Sequence, residues 1–210
     1  MNPAVSWIIG GVFWLALIAN YCWSDELIEP EYRFDVAGEV SDAMADLLSA
    51  APRRQLYRDH VLRRQYAEAI VAAAEKHGVP ELLQVSQYFN ESSFRIGALA
   101  GDRPTIGMGQ IHTEGVAAKD CDLSTMHGQV NCSAKFLRTC FDLCVSRNPT
   151  ATWRNALIAY ATEGHCESKT EKTNWSANRR MRLWQALEQQ RESVRNEIVS
   201  DLEFYKYGGN

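Results

Sequence analysis

The chain has 210 residues, with 22 Lys and Arg against 26 Asp and Glu and a formal net charge of −4 at pH 7. That length accommodates one well-buried domain with appendages, and 46% apolar with 23% charged residues is the make-up of a globular protein rather than a disordered one. A slightly acidic chain offers no global basic field, which argues against nucleic acid as a partner.

Residues 1 to 24 carry no charged side chain, and their run WIIGGVFWLALIA approaches, with its flanks, the ~20 residues that span a bilayer. Trp7 and Trp23 lie near its ends, where amphipathic rings favour the membrane interface. The segment reads as a transmembrane anchor or a signal segment. Cys22 and Ser24 offer small residues for cleavage before Asp25, which would make the product secreted, but no Lys or Arg precedes the apolar run as in a standard signal peptide. An uncleaved membrane anchor is the favoured reading, with the rest of the chain exported to a periplasm or carried on a virion.

Residues 25 to 42 read as an acidic juxtamembrane linker, with Asp25, Glu26, Glu29, Glu31, Asp35, Glu39 and Asp42 against Arg33 alone. The basic run RRQLYRDHVLRR, residues 53 to 64, reads as a solvated helix face, with contact to an anionic polymer or membrane as the alternative.

Residues 43 to 210 read as one mainly α domain. VSDAMADLLSA and YRDHVLRRQYAEAIVAAAEKHG place apolar residues three and four apart, the second ending at Gly78. VPELLQVSQYFNESSF starts a further helix at Pro80, with Leu82, Val85, Ser86 and Phe89 on a buried stripe and Gln84, Gln87, Tyr88 and Glu91 on another side. Residues 95 to 109, with Pro104 and four glycines, predict an irregular loop holding at most a small strand pair. Further helices are expected over 130–145, 151–162 and 177–204, the last with Met181, Trp184, Leu187, Val194, Ile198 and Leu202 on its apolar side.

Five of the six cysteines lie beyond the apolar run: Cys121, Cys132, Cys140, Cys144 and Cys166. An oxidising compartment lets some of them pair. Cys140 and Cys144 are one helical turn apart, where Cβ atoms sit ~5–6 Å from each other, farther than a disulfide prefers. Each is better placed to bridge to another segment, and an odd number leaves one thiol free or paired between chains.

Glu91 stands at the end of its helix, where the negative end of the helix dipole, a cleft and aromatic neighbours disfavour a carboxylate. A carboxyl kept protonated near neutral pH can donate its proton to a glycosidic oxygen. Ser92 and Ser93 are placed to orient it, and the glycines that follow would let backbone amides approach a sugar.

The blocks ESSF, IGMGQIH beginning 15 residues after the glutamate, and ALIAYATEG resemble the three-part signature of the soluble lytic transglycosylase family, related to goose-type lysozyme. The likeness extends over roughly residues 65 to 165. It implies a lysozyme-like helical domain acting on peptidoglycan glycan strands, with Glu91 as the sole catalytic acid/base that forms a 1,6-anhydro-muramyl product. It further implies that Ser92 steadies the glutamate or the substrate acetamido group, that Met108 and Gln110 line the cleft, and that Tyr160 hydrogen-bonds near Glu91. No metal or organic cofactor is required. Met108–Gly109 stands where the family has a bulkier pair, and Ala161 where it has Asn, which removes one expected substrate contact.

Other readings remain open. A muramidase hydrolysing the same bond would need a second carboxylate, for which Asp102 and Glu163 are the candidates. A zinc peptidase acting on wall cross-links would draw on His112, His127, His165 and the cysteines, though no C-x-x-C or H-E-x-x-H spacing is present. A glycan-binding scaffold without turnover would suit an envelope-spanning or virion assembly.

Overall fold

A computed structural model of the chain describes residues 34–52, 54–99, 104–115 and 118–207, with side chains to residue 200. The expected anchor (1–24), most of the acidic linker and Asp102 lie outside the described residues. Those residues form seven helices and one two-stranded ribbon, a mainly α architecture. Among them, no helix is long and apolar enough to cross a membrane.

Asp35 starts the first helix, α1 (Val36–Leu48), because its carboxylate accepts the Gly38 N–H at 3.0 Å and so satisfies a donor with no partner in the helix. The stretch read as linker to residue 42 is therefore helical from Val36 onward. Its acids have structural uses: Asp35 also pairs with Arg64, and Glu39 with Arg195 at 2.6 Å. A single helical turn, α2 (Gln55–Arg58), leads into α3 (His60–His77), which Gly78 closes in the left-handed conformation at φ 61°. Asp59 caps α3 by accepting the Leu62 N–H at 2.9 Å. Asp59→Ala is expected to cost about 1 kcal/mol, read as a lower urea midpoint with unchanged slope.

The basic run is not a plain solvated face. Arg54 donates to the Ser93 carbonyl at 2.8 Å, Arg58 to the Pro52 carbonyl at 3.0 Å and Arg63 to the Tyr57 carbonyl at 2.7 Å. These three guanidinium groups tie the segments around α2 together, while Arg64 pairs with the carboxylates of Asp35 and Glu68.

The central element is α4 (Glu81–Ser92). Two apolar cores meet on it. Leu82, Val85 and Tyr88 join α1, α3, Val130 and Leu187 in the first, while Leu83 joins Leu137, Cys140, Leu157 and Ile158 in the second. Gln84, Gln87 and Tyr88, expected on a polar side, are each 1% exposed, whereas Phe89 is half-buried. The stripe seen in the sequence is only part of the buried surface, because α4 is enclosed on both sides rather than laid on a single core.

The ribbon pairs β1 (Thr105–Ile106) antiparallel to β2 (Ile111–His112), with Ile106 opposite Ile111. Beyond it run α5 (Met126–Arg147), α6 (Trp153–Ala161) and α7 (Glu171–Tyr207). Helix α7 starts before the expected residue 177 and packs onto the cores through Ala177 and Leu187; Val194 on the same stripe is 48% exposed. Disulfides join Cys121 to Cys132 and Cys144 to Cys166, and Cys140 is a free, buried thiol. The odd cysteine is thus Cys140, and Cys144 bridges to the segment after α6.

Candidate active site

Glu91 lies in the last turn of α4, and the way that helix ends fixes where its carboxyl points. Ser93 and Phe94 both take positive φ, 52° and 63°; the Ser93 N–H bonds the Phe89 carbonyl at 2.9 Å and the Phe94 N–H bonds the Tyr88 carbonyl at 3.3 Å. This is the hydrogen-bond pattern of a Schellman termination, here without the usual glycine. The cost of left-handed backbone at two side-chain-bearing residues is offset by burial of Phe94, 3% exposed and packed near Phe89, and by the Arg54 bond to Ser93.

A cleft of about 1130 Å³ lies in front of this turn, bounded by the ribbon, α5, α6, the segment 162–170 and the first turns of α7. Thr105, Thr139, Thr162, Ser168, Thr170, Thr173 and Ser176 give its wall hydroxyl groups; Phe136, Ile111 and Leu143 give it apolar faces. The far wall is pinned by the Cys144–Cys166 bond, by Arg147 donating to the Gly164 carbonyl at 2.8 Å and by Asn155 donating to the Cys166 carbonyl at 3.1 Å.

The Glu91 side chain is 19% exposed, and its Oε1 is paired with Nη2 of Arg180 at 2.5 Å. Burial pushes the Glu91 carboxyl above the ordinary carboxylate range, and the Arg180 charge offsets part of that rise. Arg180 comes from α7 and is 4% exposed, held by Ser176 Oγ at 3.1 Å. With its amide in the orientation that satisfies both groups, Asn90 also accepts from Arg180 Nε at 3.0 Å. Nothing in the sequence marked Arg180, because an arginine on an amphipathic helix ordinarily reads as solvated.

Across the cleft, Tyr160 donates to the Gly109 carbonyl at 2.8 Å and accepts from the Ser133 hydroxyl 2.9 Å away. Burial pushes its phenol far above the usual value, so it stays protonated. The same effect takes the Cys140 thiol up to about 12, which leaves it neutral in the cleft wall.

The glycine-rich turn serves packing within the protein. Gly107 has φ +83°, and a Cβ there would lie 2.2 Å from Gln129 Oε1; at Gly109 it would lie 2.4 Å from Ser133 Oγ and 2.9 Å from the Tyr160 hydroxyl. These two glycines let the turn close onto α5 and α6, whereas a Cβ at Gly97 would meet open space. Gly109→Ala is expected to destabilise the fold by about 1–3 kcal/mol, the range for overpacking a filled site. A urea midpoint equal to wild type would show that Ser133 and Tyr160 yield freely.

Glu91, Gln110, Tyr160 and Glu163 all line the one cleft. Gln110, at φ 50°, folds its amide back on its own loop, donating to the Ala98 and Gly107 carbonyls at 3.1 and 2.8 Å and accepting from Thr105. Ser92 does not reach the cleft: it is 3% exposed and donates to the Met108 carbonyl at 2.9 Å, joining the helix end to the turn. Met108 is fully buried in the first core. Ser92 and Met108 thus support the site from behind, and neither side chain lines the cleft.

Among the described residues, no three of His, Cys, Asp or Glu converge to hold a metal ion. Compared with known protein families, curated sequences and solved structures, the chain matches none.

Proposed function

We propose that the protein is a peptidoglycan-cleaving lytic transglycosylase with a lysozyme-like helical domain. In this reading Glu91 protonates the glycosidic oxygen between N-acetylmuramic acid and N-acetylglucosamine. It then takes the proton of the muramyl 6-hydroxyl as that oxygen closes on C1. The observation that carries the reading is a largely buried carboxyl, its pKa raised by that burial, in the wall of a hydroxyl-lined cleft. The order of the blocks around Glu91, Gln110 and Tyr160 supports it, as does the cleft volume, which exceeds that of a typical small-molecule pocket. A single acid suits an internal nucleophile, since no second carboxylate is needed to activate water.

Two disulfides are in keeping with an oxidising, exported setting. With an anchor at residues 1 to 24, the domain would work on the wall close to a membrane, for local opening during phage entry or lysis, secretion, conjugation or wall turnover. Hydrolysis is the second reading, because Glu163 lines the same cleft as Glu91.

The test is to incubate the full chain, in mild detergent, with purified peptidoglycan and identify the products by mass spectrometry. Anhydro-muramyl ends are expected. Reducing ends would replace transglycosylation with hydrolysis and give Glu163 a role, newly freed peptide amines would favour a peptidase, and absence of any product would favour a glycan-binding scaffold.

A further inference from the structure

A group that first gives and then takes a proton must exist as a carboxylate between the two transfers. In a largely buried position that form is costly unless it has a charge partner. Arg180 supplies one. Its own burial makes it an expensive residue to keep, since a guanidinium taken out of water needs its donors satisfied. Here Arg180 donates to Ser176 Oγ and to the Asn90 amide oxygen, and its charge lies against Glu91 Oε1.

The other charged or titratable groups around the cleft are His112 on β2, Cys140 on α5, Tyr160 on α6, Glu163 after it and Lys172 on α7. Of these, Tyr160 and Cys140 stay neutral, and the ion pair joins Glu91 to Arg180. The closest approach in that pair is Arg180 Nη2 to Glu91 Oε1, at 2.5 Å.

We infer that Arg180 is a positioning residue that stays paired with Glu91 through both proton transfers and stabilises the intervening carboxylate. This rests on the reading of Glu91 as the acid/base. Glu91 delivers its proton as the C1–oxygen bond breaks and the electron pair leaves with the N-acetylglucosamine oxygen. The muramyl 6-oxygen then bonds C1 and its proton returns to the Glu91 carboxylate, so nothing but the glycan is consumed.

Two measurements on the full chain test the inference. The first needs no substrate: the infrared band of the protonated Glu91 carboxyl, isolated by subtracting the spectrum of Glu91→Gln, is followed against pH. Replacing Arg180 by Gln should raise the titration midpoint by at least about one unit, the size of effect an adjacent opposite charge exerts on a carboxyl, while Arg180→Lys should recover part of the shift. The second is the pH–rate profile on peptidoglycan, in which Arg180→Gln should move the alkaline limb upward by the same amount and lower kcat by at least about tenfold, with KM nearly unchanged.

An unmoved midpoint in a folded Arg180→Gln chain would overturn the inference, as would a loss expressed in KM with no movement of the limb. Should that variant fail to fold by circular dichroism, Ser176→Ala combined with Asn90→Ala frees the guanidinium while keeping its charge; a midpoint that rises supports the inference and one that stays overturns it. A wild-type chain that leaves peptidoglycan intact would sink the glycan-cleaving function instead, and the titration would still decide whether Arg180 governs the protonation of Glu91.

Discussion

Glu91→Gln is expected to keep the fold and to reduce formation of anhydro-muramyl ends by about 10²- to 10⁴-fold, the usual contribution of a general acid or base. The amide is nearly isosteric with the carboxyl and retains an oxygen for Arg180, so the geometry of the pair at Oε1 survives. What disappears is the proton. Two effects on stability oppose each other: Arg180, 4% exposed, loses its counter-charge, which is unfavourable for a buried ion, while the desolvation borne by the Glu91 carboxylate is relieved. The thermal midpoint is therefore measured beside activity, and loss of activity with a retained midpoint assigns the effect to chemistry.

The pH dependence has a definite sign. Burial raises the Glu91 pKa, and in the proposed mechanism the acid form starts the reaction, so wild-type activity is expected to fall as pH climbs through that raised value. The stability contributed by the protonated carboxyl follows the same direction, present below the unfolded-state pKa and lost as pH rises through the folded-state one. A profile whose alkaline limb stands at an ordinary carboxylate value would contradict the raised pKa of Glu91. A Gln variant as active as wild type would remove Glu91 from the mechanism.

How far the sequence discloses this arrangement depends on the range over which each cause acts. Gly78 and Pro80 act through backbone conformation at their own positions, and they bracket the boundary between α3 and α4 as expected. The ribbon in the glycine-rich stretch also follows from local preference. By contrast, the enclosure of Gln84 and Gln87 by two cores, and the arrival of Arg180 at Glu91 from α7, are tertiary facts with no local signature. Ser92 shows the limit most plainly. A serine beside a candidate acid invites a role at the substrate, yet in the fold its hydroxyl donates to the Met108 carbonyl.

Gln129 is the other residue whose part emerges only from the fold, and its replacement by Leu is expected to cost about 3–4 kcal/mol. Its side chain, 2% exposed, accepts the Met108 N–H at 3.1 Å and donates to the Ile96 and Leu123 carbonyls at 3.1 and 2.9 Å. One amide thus closes three backbone groups that belong to three different parts of the loop around the ribbon. Leucine fills a similar volume and satisfies none of them. Each buried group left unpaired costs about 1–3 kcal/mol, least for carbonyls that retain another partner, so the sum exceeds the overpacking cost expected at Gly109. The loss has a second consequence in the cleft. The Met108–Gly109 backbone that Gln129 holds is the same backbone that accepts the Tyr160 hydroxyl, so cleavage should weaken along with the urea midpoint. Gln129→Glu separates the two contributions: it preserves an acceptor for Met108 but sets a carboxylate against two carbonyl oxygens, and it should destabilise at least as strongly as Leu at neutral pH. A Leu variant within about 1 kcal/mol of wild type would mean that the freed groups find water, and the turn would then owe its shape to Gly107, Gly109 and the Ser92 bond alone.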